Sequence, residues 1–263
     1  MRACTLALLA IGLLFCSCSS DEPPWARFPS AGMPGEPTIA GAPAPVAAFK
    51  VPPTIDGKLD EPEWSAAQQL GPLGDPGNGA AASSSLVPAF ARLGWDAEKL
   101  YVGMVVRDRE PISPFQRRDV DPHLWERSSA VEVMLQPGDP GDNRDYYEIQ
   151  VDIAGAVFDT HWDDYNLPIG GTRAERVYGH MDWSSQAERA VYQKPGAFYS
   201  VEMAIPWKAL IQNRSAIPPQ RGDVWRINLY SFRDGQMQSL AWSPIRGQGN
   251  FHRSSRWGRI KFE

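Results

Sequence analysis

Two short segments, residues 130–136 and 146–153, alternate apolar and polar side chains with a period of two. Only an extended strand sends every second residue to the same face, so the pair reads as two β-strands joined by a polar loop. Val131, Val133 and Leu135 share one face, as do Tyr147, Ile149, Val151 and Ile153. Glu132, Met134, Glu148, Gln150 and Asp152 share the other, with Trp125 just ahead of the first strand. One face builds a core. The other presents carboxylates and an amide beside an aromatic ring, which suits sugar hydroxyls and also an ordinary solvated sheet.

Similar runs recur at 89–96, 100–107, 157–162, 187–193, 199–205, 225–232, 240–243 and 259–262, separated by Gly, Pro and Asp turns. Helix signals are confined to 61–67, with Asp60 as a cap and Pro62 in the first turn, and to 206–212, which opens on Pro206. Many short strands with almost no helix predict an all-β chain. The expected architecture is a two-sheet antiparallel β-sandwich, jelly-roll or immunoglobulin-like, with short helices. The 263 residues are 43% hydrophobic, enough for one larger domain. The net charge of −5 lacks the clustered basic face that nucleic acid requires. Most of the 10 tryptophans are expected in the core.

The first residues are not part of the fold. Arg2 precedes an apolar run at 6–15 that is too short to span a bilayer. Cys18 follows the small Ser17, whereas Cys16 follows the bulky Phe15. The segment resembles a bacterial lipoprotein signal. It implies a signal peptide at 1–17, Cys18 as the lipidated first residue, a Pro/Ala/Gly-rich tether at 18–50 and a folded domain at 51–263. The expected location is the cell envelope, on the outer membrane of a Gram-negative-type bacterium, held to the membrane by the lipid. The three cysteines, Cys4, Cys16 and Cys18, all lie ahead of the domain, which leaves it no thiol chemistry.

Four motifs occur in order: IDGKLDEPEW (55–64), LGWDAEKLYVGMVVRD (93–108), SAVEVMLQPG before YYEIQVDIAG (129–155) and YSVEMAIPW (199–207). With the closing stretch 222–262, they make the chain resemble the family 9 carbohydrate-binding modules. The resemblance implies a β-sandwich that binds an oligo- or polysaccharide without catalysis, of the kind associated with glycoside hydrolases in carbohydrate catabolism. It implies a sugar held between two facing aromatic rings, here Trp125 and Phe251, with Glu132 bonding its hydroxyls. The family's Arg-x-Asn pair falls on Gln150 and Asp152. This chain therefore has Gln for Arg, Asp for Asn and Phe for the second Trp. Trp125 also lies one residue further from Glu132 than the family spacing, an offset that a β-bulge would absorb. Some members carry structural calcium.

The residue chemistry agrees with a binder. A sugar needs an aromatic for its C–H face and planar polar groups for its hydroxyl belt. Trp125 and Phe251 supply the first, and Glu132, Gln150 and Asp152 the second. Glycoside hydrolysis needs two opposed carboxylates. Glu132, Glu148, Asp152, Asp163 and Asp164 offer carboxylates but no sign of a deep cleft. No nucleophile elbow is present, and the four histidines show no HExxH spacing. Asp139, Asp142, Asn143 and Asp145 form either a weak calcium cluster or a polar turn, and no other cofactor is expected. Met134 and His161 are the candidate axial ligands if the chain were a haem-binding relative. The alternative of another class is a structural or protein-interaction sandwich whose sugar site has decayed.

Overall fold

A computed structural model describes residues 22–27, 42–80, 87–165, 179–211, 214–233, 238–246 and 251–263. Every predicted strand is present. The strands are β1 (Ala44–Ala48), β2 (Gln69–Leu70), β3 (Ala89–Trp95), β4 (Lys99–Val106), β5 (Ser129–Gln136) and β6 (Arg144–Asp152). They continue with β7 (Val157–Asp164), β8 (Glu188–Lys194), β9 (Phe198–Pro206), β10 (Val224–Arg233), β11 (Leu240–Ala241) and β12 (Gly258–Phe262). The helices are one-turn pieces, α1 (Pro62–Ala66) and α2 (Leu124–Arg127).

The strands follow one path, β7-β6-β5-β10-β12-β1-β3-β4-β9-β8, with β11 on β10 and β2 on β3. The path curls so that its two halves face each other. Between them pack Val131, Val133, Leu135, Tyr147, Ile149 and Val151 from one half and Leu93, Val102, Met104, Val201 and Met203 from the other. The expectation of two antiparallel sheets needs correction at β1. That strand runs parallel to both neighbours, to β12 through Ala44–Val46 and to β3 through Ala47 and Ala48. The sheet is therefore mixed, and β1 is the seam between its halves.

The tether boundary also moves. Residues 44–48 were expected in a tether ending at residue 50, but they hold the seam. Trp25 lies edge-on to Phe198 at 5.7 Å, and Glu22 pairs with Arg107 at 3.0 Å. Cys18, the lipoprotein signal and residues 28–41 of the tether lie outside the described residues. The first expected helix shrinks to α1, whose N-cap is Glu61 rather than Asp60. The second shrinks to a 3-10 turn at Trp207–Ala209. Among the described residues, no helix is long and apolar enough to cross a membrane.

Both outward faces are covered as well. A cluster with Phe49, Leu59, Trp64, Phe90 and Phe198 caps the half built from β3, β4 and β9. Its close packing needs glycine: a Cβ on Gly94 would sit 2.0 Å from the Phe49 ring. The other outward face, on β5, β6, β7 and β10, carries Met134, Tyr146, Phe158, Tyr230, Phe251 and Trp257. The polar side of the opening strand pair is thus buried, not solvated.

Candidate functional site

The strand register sets the site. Tyr230 on β10 pairs with Glu132 on β5, Glu132 with Gln150 on β6, and Gln150 with Phe158 on β7. Directly paired residues point to the same side, so these four form a row across the outward face. Strands lie about 4.8 Å apart, so the row is about 14 Å long from end to end.

An aromatic ring stands at each end. Phe251 lies parallel on Tyr230, with centroids 4.0 Å apart and planes 7° apart. Trp125 meets Phe158 edge-on at 4.8 Å and stacks with His123 at 4.5 Å. Helix α2 positions Trp125. Its buried Leu124 anchors the turn, and Ser128 Oγ donates to the Leu124 carbonyl at 2.9 Å. This helical turn, rather than a bulge in β5, occupies the interval between Trp125 and the strand.

Phe251 is placed by its backbone. Its carbonyl accepts from the Tyr230 hydroxyl at 3.2 Å and from Trp257 Nε1 at 3.0 Å. Asn143, in the loop between β5 and β6 at φ 60°, donates to the His252 carbonyl at 2.9 Å and accepts from the Ser254 amide at 2.7 Å. The polar loop therefore fixes the far aromatic wall.

Between the walls lie the polar groups. Gln150 Nε2 donates to Glu148 Oε1 at 2.8 Å and reaches Glu132 Oε2 at 3.4 Å. Glu132 Oε1 and Gln150 Oε1 have no hydrogen-bond partner among the described residues, although both are buried. Burial pushes the Glu132 carboxyl well above the ordinary carboxylate range, and the neighbouring Glu148 adds to the shift. Burial raises Glu148 to about 7, opposed by hydrogen bonds from Trp162 and Gln150. Trp162 Nε1 donates to Glu148 Oε2 at 3.0 Å, and His252 Nε2 stands 3.7 Å from the same oxygen. The His252 Nδ1 meets the Tyr146 hydroxyl at 2.6 Å. These groups form one connected buried network.

Of the five residues chosen from sequence, Trp125, Glu132, Gln150 and Phe251 fall along this row. Asp152 does not. Its Oδ1 accepts from the Ala154 and Ala156 amides, each at 2.9 Å, and its Oδ2 from the Ser113 hydroxyl. Those bonds turn the chain between β6 and β7 and leave Asp152 as a turn residue. Sequence reasoning did not select Tyr230, Phe158, Trp162 or His252. Glu148 was legible as a same-face neighbour of Gln150. His252 had only its adjacency to Phe251 as a signal.

The calcium candidates have other partners. Asp139 pairs with Arg226 at 2.7 Å and Arg259 at 2.8 Å, and Asp142 with Arg214 at 2.7 Å. Asp145 lies 3.5 Å from Arg214. Their oxygens face guanidinium groups, and Asn143 serves the backbone. The haem pair is ruled out by geometry. Met134 lies on the outward face, whereas His161 pairs with Tyr147 on the inward one. A cleft of about 460 Å³ opens at the β7 edge, lined by Asp121, Asp159, Trp183, Ser185 and Arg189 among others. It shares none of its lining with the row.

The profile of the family described as Carbohydrate family 9 binding domain-like matches residues 55–263. A family 9 carbohydrate-binding module from Caldicellulosiruptor kristjanssonii, solved with cellotriose, superposes with a TM-score of 0.56 at 16% identity. That match covers 84% of this chain and 94% of that one. The same organism's module solved with glucose gives 0.55 at 16%, covering 84% and 96%. A protein of Bacteroides uniformis described as a candidate carbohydrate binder gives 0.62 at 18%, covering 85% and 100%. Among curated proteins, none matches significantly.

Proposed function

The chain belongs to the Carbohydrate family 9 binding domain-like family, and from that premise we propose that it binds an oligosaccharide without catalysis at the row on its outward face. The saccharide lies along the row between Trp125 and Phe251, and its hydroxyls bond Glu132 and Gln150. The observation that carries this reading is the pair of unpartnered buried oxygens, Glu132 Oε1 and Gln150 Oε1, lying between two aromatic walls. A hydroxyl donates to both, and each such bond contributes about 0.5–1.5 kcal/mol. Glu148 supports the floor by orienting Gln150. The ligands to try first are glucose and cellotriose, which two similar folds hold.

Affinity electrophoresis and a glycan array on the domain test the reading. Binding weakened several-fold in Trp125→Ala and more strongly in Glu132→Ala supports it. No binding to either reducing-end or internal sugars favours a second reading, a structural or protein-interaction sandwich. That second reading draws on the 8% exposure of Phe251 and on Gln150 standing where the family has an arginine. The proposal includes a lipid on Cys18 that holds the domain at the cell envelope of a Gram-negative-type bacterium, with residues 28–41 as spacer. Each buried acyl methylene adds roughly 0.8 kcal/mol of membrane affinity. Cys18→Ala should move the protein into the soluble fraction, and retention on membranes would remove this part of the proposal.

A further inference from the structure

We propose that His161, Asp163 and His180 form a binding site for one divalent transition-metal ion of the zinc class, on the face of β7 away from the sugar row. The proposal rests on no part of the sugar reading. His161 and Asp163 are two residues apart in a strand, so both project from one face. An isolated antiparallel bridge sets His180 directly opposite His161, and the His180 amide donates to the His161 carbonyl at 2.7 Å. The two imidazoles stack with centroids 5.5 Å apart and planes 16° apart.

Asp163 closes the triangle. Its Oδ2 lies 2.7 Å from His180 Nε2, and its Oδ1 lies 3.6 Å from His161 Nδ1. One donor atom from each residue falls within 4.8 Å of the other two. Tetrahedral zinc with bonds of about 2.0–2.2 Å holds its donors roughly 3.4 Å apart. The residual closure falls to the side chains of Asp163 and His180, which are 54% and 34% exposed and free to turn without backbone movement. Two nitrogens and one carboxylate suit a borderline ion such as zinc, whereas calcium and magnesium take oxygen ligands.

His161 forms the buried corner of the triangle. Its residue is only 3% exposed, its Nε2 is buried without a hydrogen-bond partner, and its Nδ1 lies beyond hydrogen-bond distance of Asp163. Its Nδ1 faces Asp163 Oδ1 and is the nitrogen placed to bind the ion, while Nε2 points elsewhere from the ring. The Tyr147 ring at 5.0 Å fixes its orientation from the core side, and Trp183 packs on Tyr147 at 4.9 Å. The metal would staple edge strand β7 to the segment at residues 179–183. Three protein ligands leave a fourth position for water or another oxygen donor.

The test uses the full chain without a polyhistidine tag, stripped with a chelator and then titrated with zinc by calorimetry. A parallel titration with cobalt is read by visible absorption. The expected result is one metal per chain in the micromolar range or tighter, a ligand-field band from tetrahedral cobalt, and a raised melting temperature. Asp163→Ala and His180→Ala should each weaken binding by at least about tenfold. The metal-free variants should melt where the wild type does, because both side chains are surface groups. Absence of zinc binding overturns the proposal. So does zinc bound equally well by the Asp163→Ala/His180→Ala double variant, which would assign the metal elsewhere, including to the N-terminal cysteines.

Discussion

Two buried glutamates sit on the outward faces of the two halves of the sheet, and their surroundings differ. Glu202 on β9 is completely partnered. Its Oε2 accepts from the Asp56 and Gly57 amides at 2.9 and 2.7 Å, and its Oε1 accepts from Trp64 Nε1 at 2.8 Å. It fastens the IDGKLDEPEW motif to the sheet. Glu132 on β5 has one weak neighbour at 3.4 Å and one oxygen with none. The same residue type in the same kind of location is a fastener in one half and an open acceptor in the other. The count of satisfied lone pairs separates the two roles, since an unmade buried hydrogen bond costs about 1–3 kcal/mol. A position that keeps that cost is a candidate for ligand contact.

The largest way to sharpen this contrast is Glu202→Ala. It strands two amides and an indole N–H, so denaturant titration should show a loss on the order of 3–5 kcal/mol. Sugar affinity of the folded fraction should be unchanged. A loss under about 1 kcal/mol would erase the distinction.

The pH dependence comes next. Burial raises Glu202 to about 7 and Glu148 to about 7, each from an ordinary 4.5. The folded state then holds more protons than the unfolded chain between those values. Stability contributed by these groups is therefore highest below about 4.5 and falls as pH rises toward 7. The melting temperature should be several degrees higher at pH 5 than at pH 8. Glu202→Gln should flatten part of that slope, and a slope of opposite sign would contradict the assignment of both groups as raised acids.

Smaller effects follow. Trp125→Ala removes one wall but leaves the floor, so affinity should fall by about 0.5–1.5 kcal/mol, several-fold, by calorimetry. At the small end, Lys58 pairs with Asp56 at 2.9 Å at the surface, beside the Glu202 fastener. Lys58→Ala should leave the denaturant midpoint unchanged, since an exposed ion pair contributes little. A measurable shift would mean that the fastener extends into surface charge.

The sheet was legible because alternation is a local signal, and Gly, Pro and Asp mark its turns. The position of β1 was not. Ala44, Pro45, Val46, Ala47 and Ala48 carry no alternation, and both partners of the strand lie far along the chain at 94–95 and 260–262. The polar floor was legible for the same reason as the strands: Glu132 and Gln150 are same-face residues on neighbouring strands. Its burial was not, because the cover comes from α2 and from the segment at 251–257. Asp152 shares the parity of Gln150 yet serves a turn, and parity alone cannot distinguish the two. The stacking of Phe251 on Tyr230 needed the pairing of β10 with β5. The His161, Asp163 and His180 group escaped because helical metal spacings do not apply to a strand. There the ligands stand two apart, and the third arrives through a single bridge.

The most direct measurement is a pair of calorimetric titrations with cellotriose on Glu132→Gln and Glu202→Gln beside the wild type. Glu132→Gln should lose affinity several-fold, as expected for one hydrogen bond of about 0.5–1.5 kcal/mol, while melting at or above the wild-type temperature. Glu202→Gln should keep wild-type affinity while melting lower. Wild-type binding by Glu132→Gln, or loss of affinity confined to Glu202→Gln, would contradict the account.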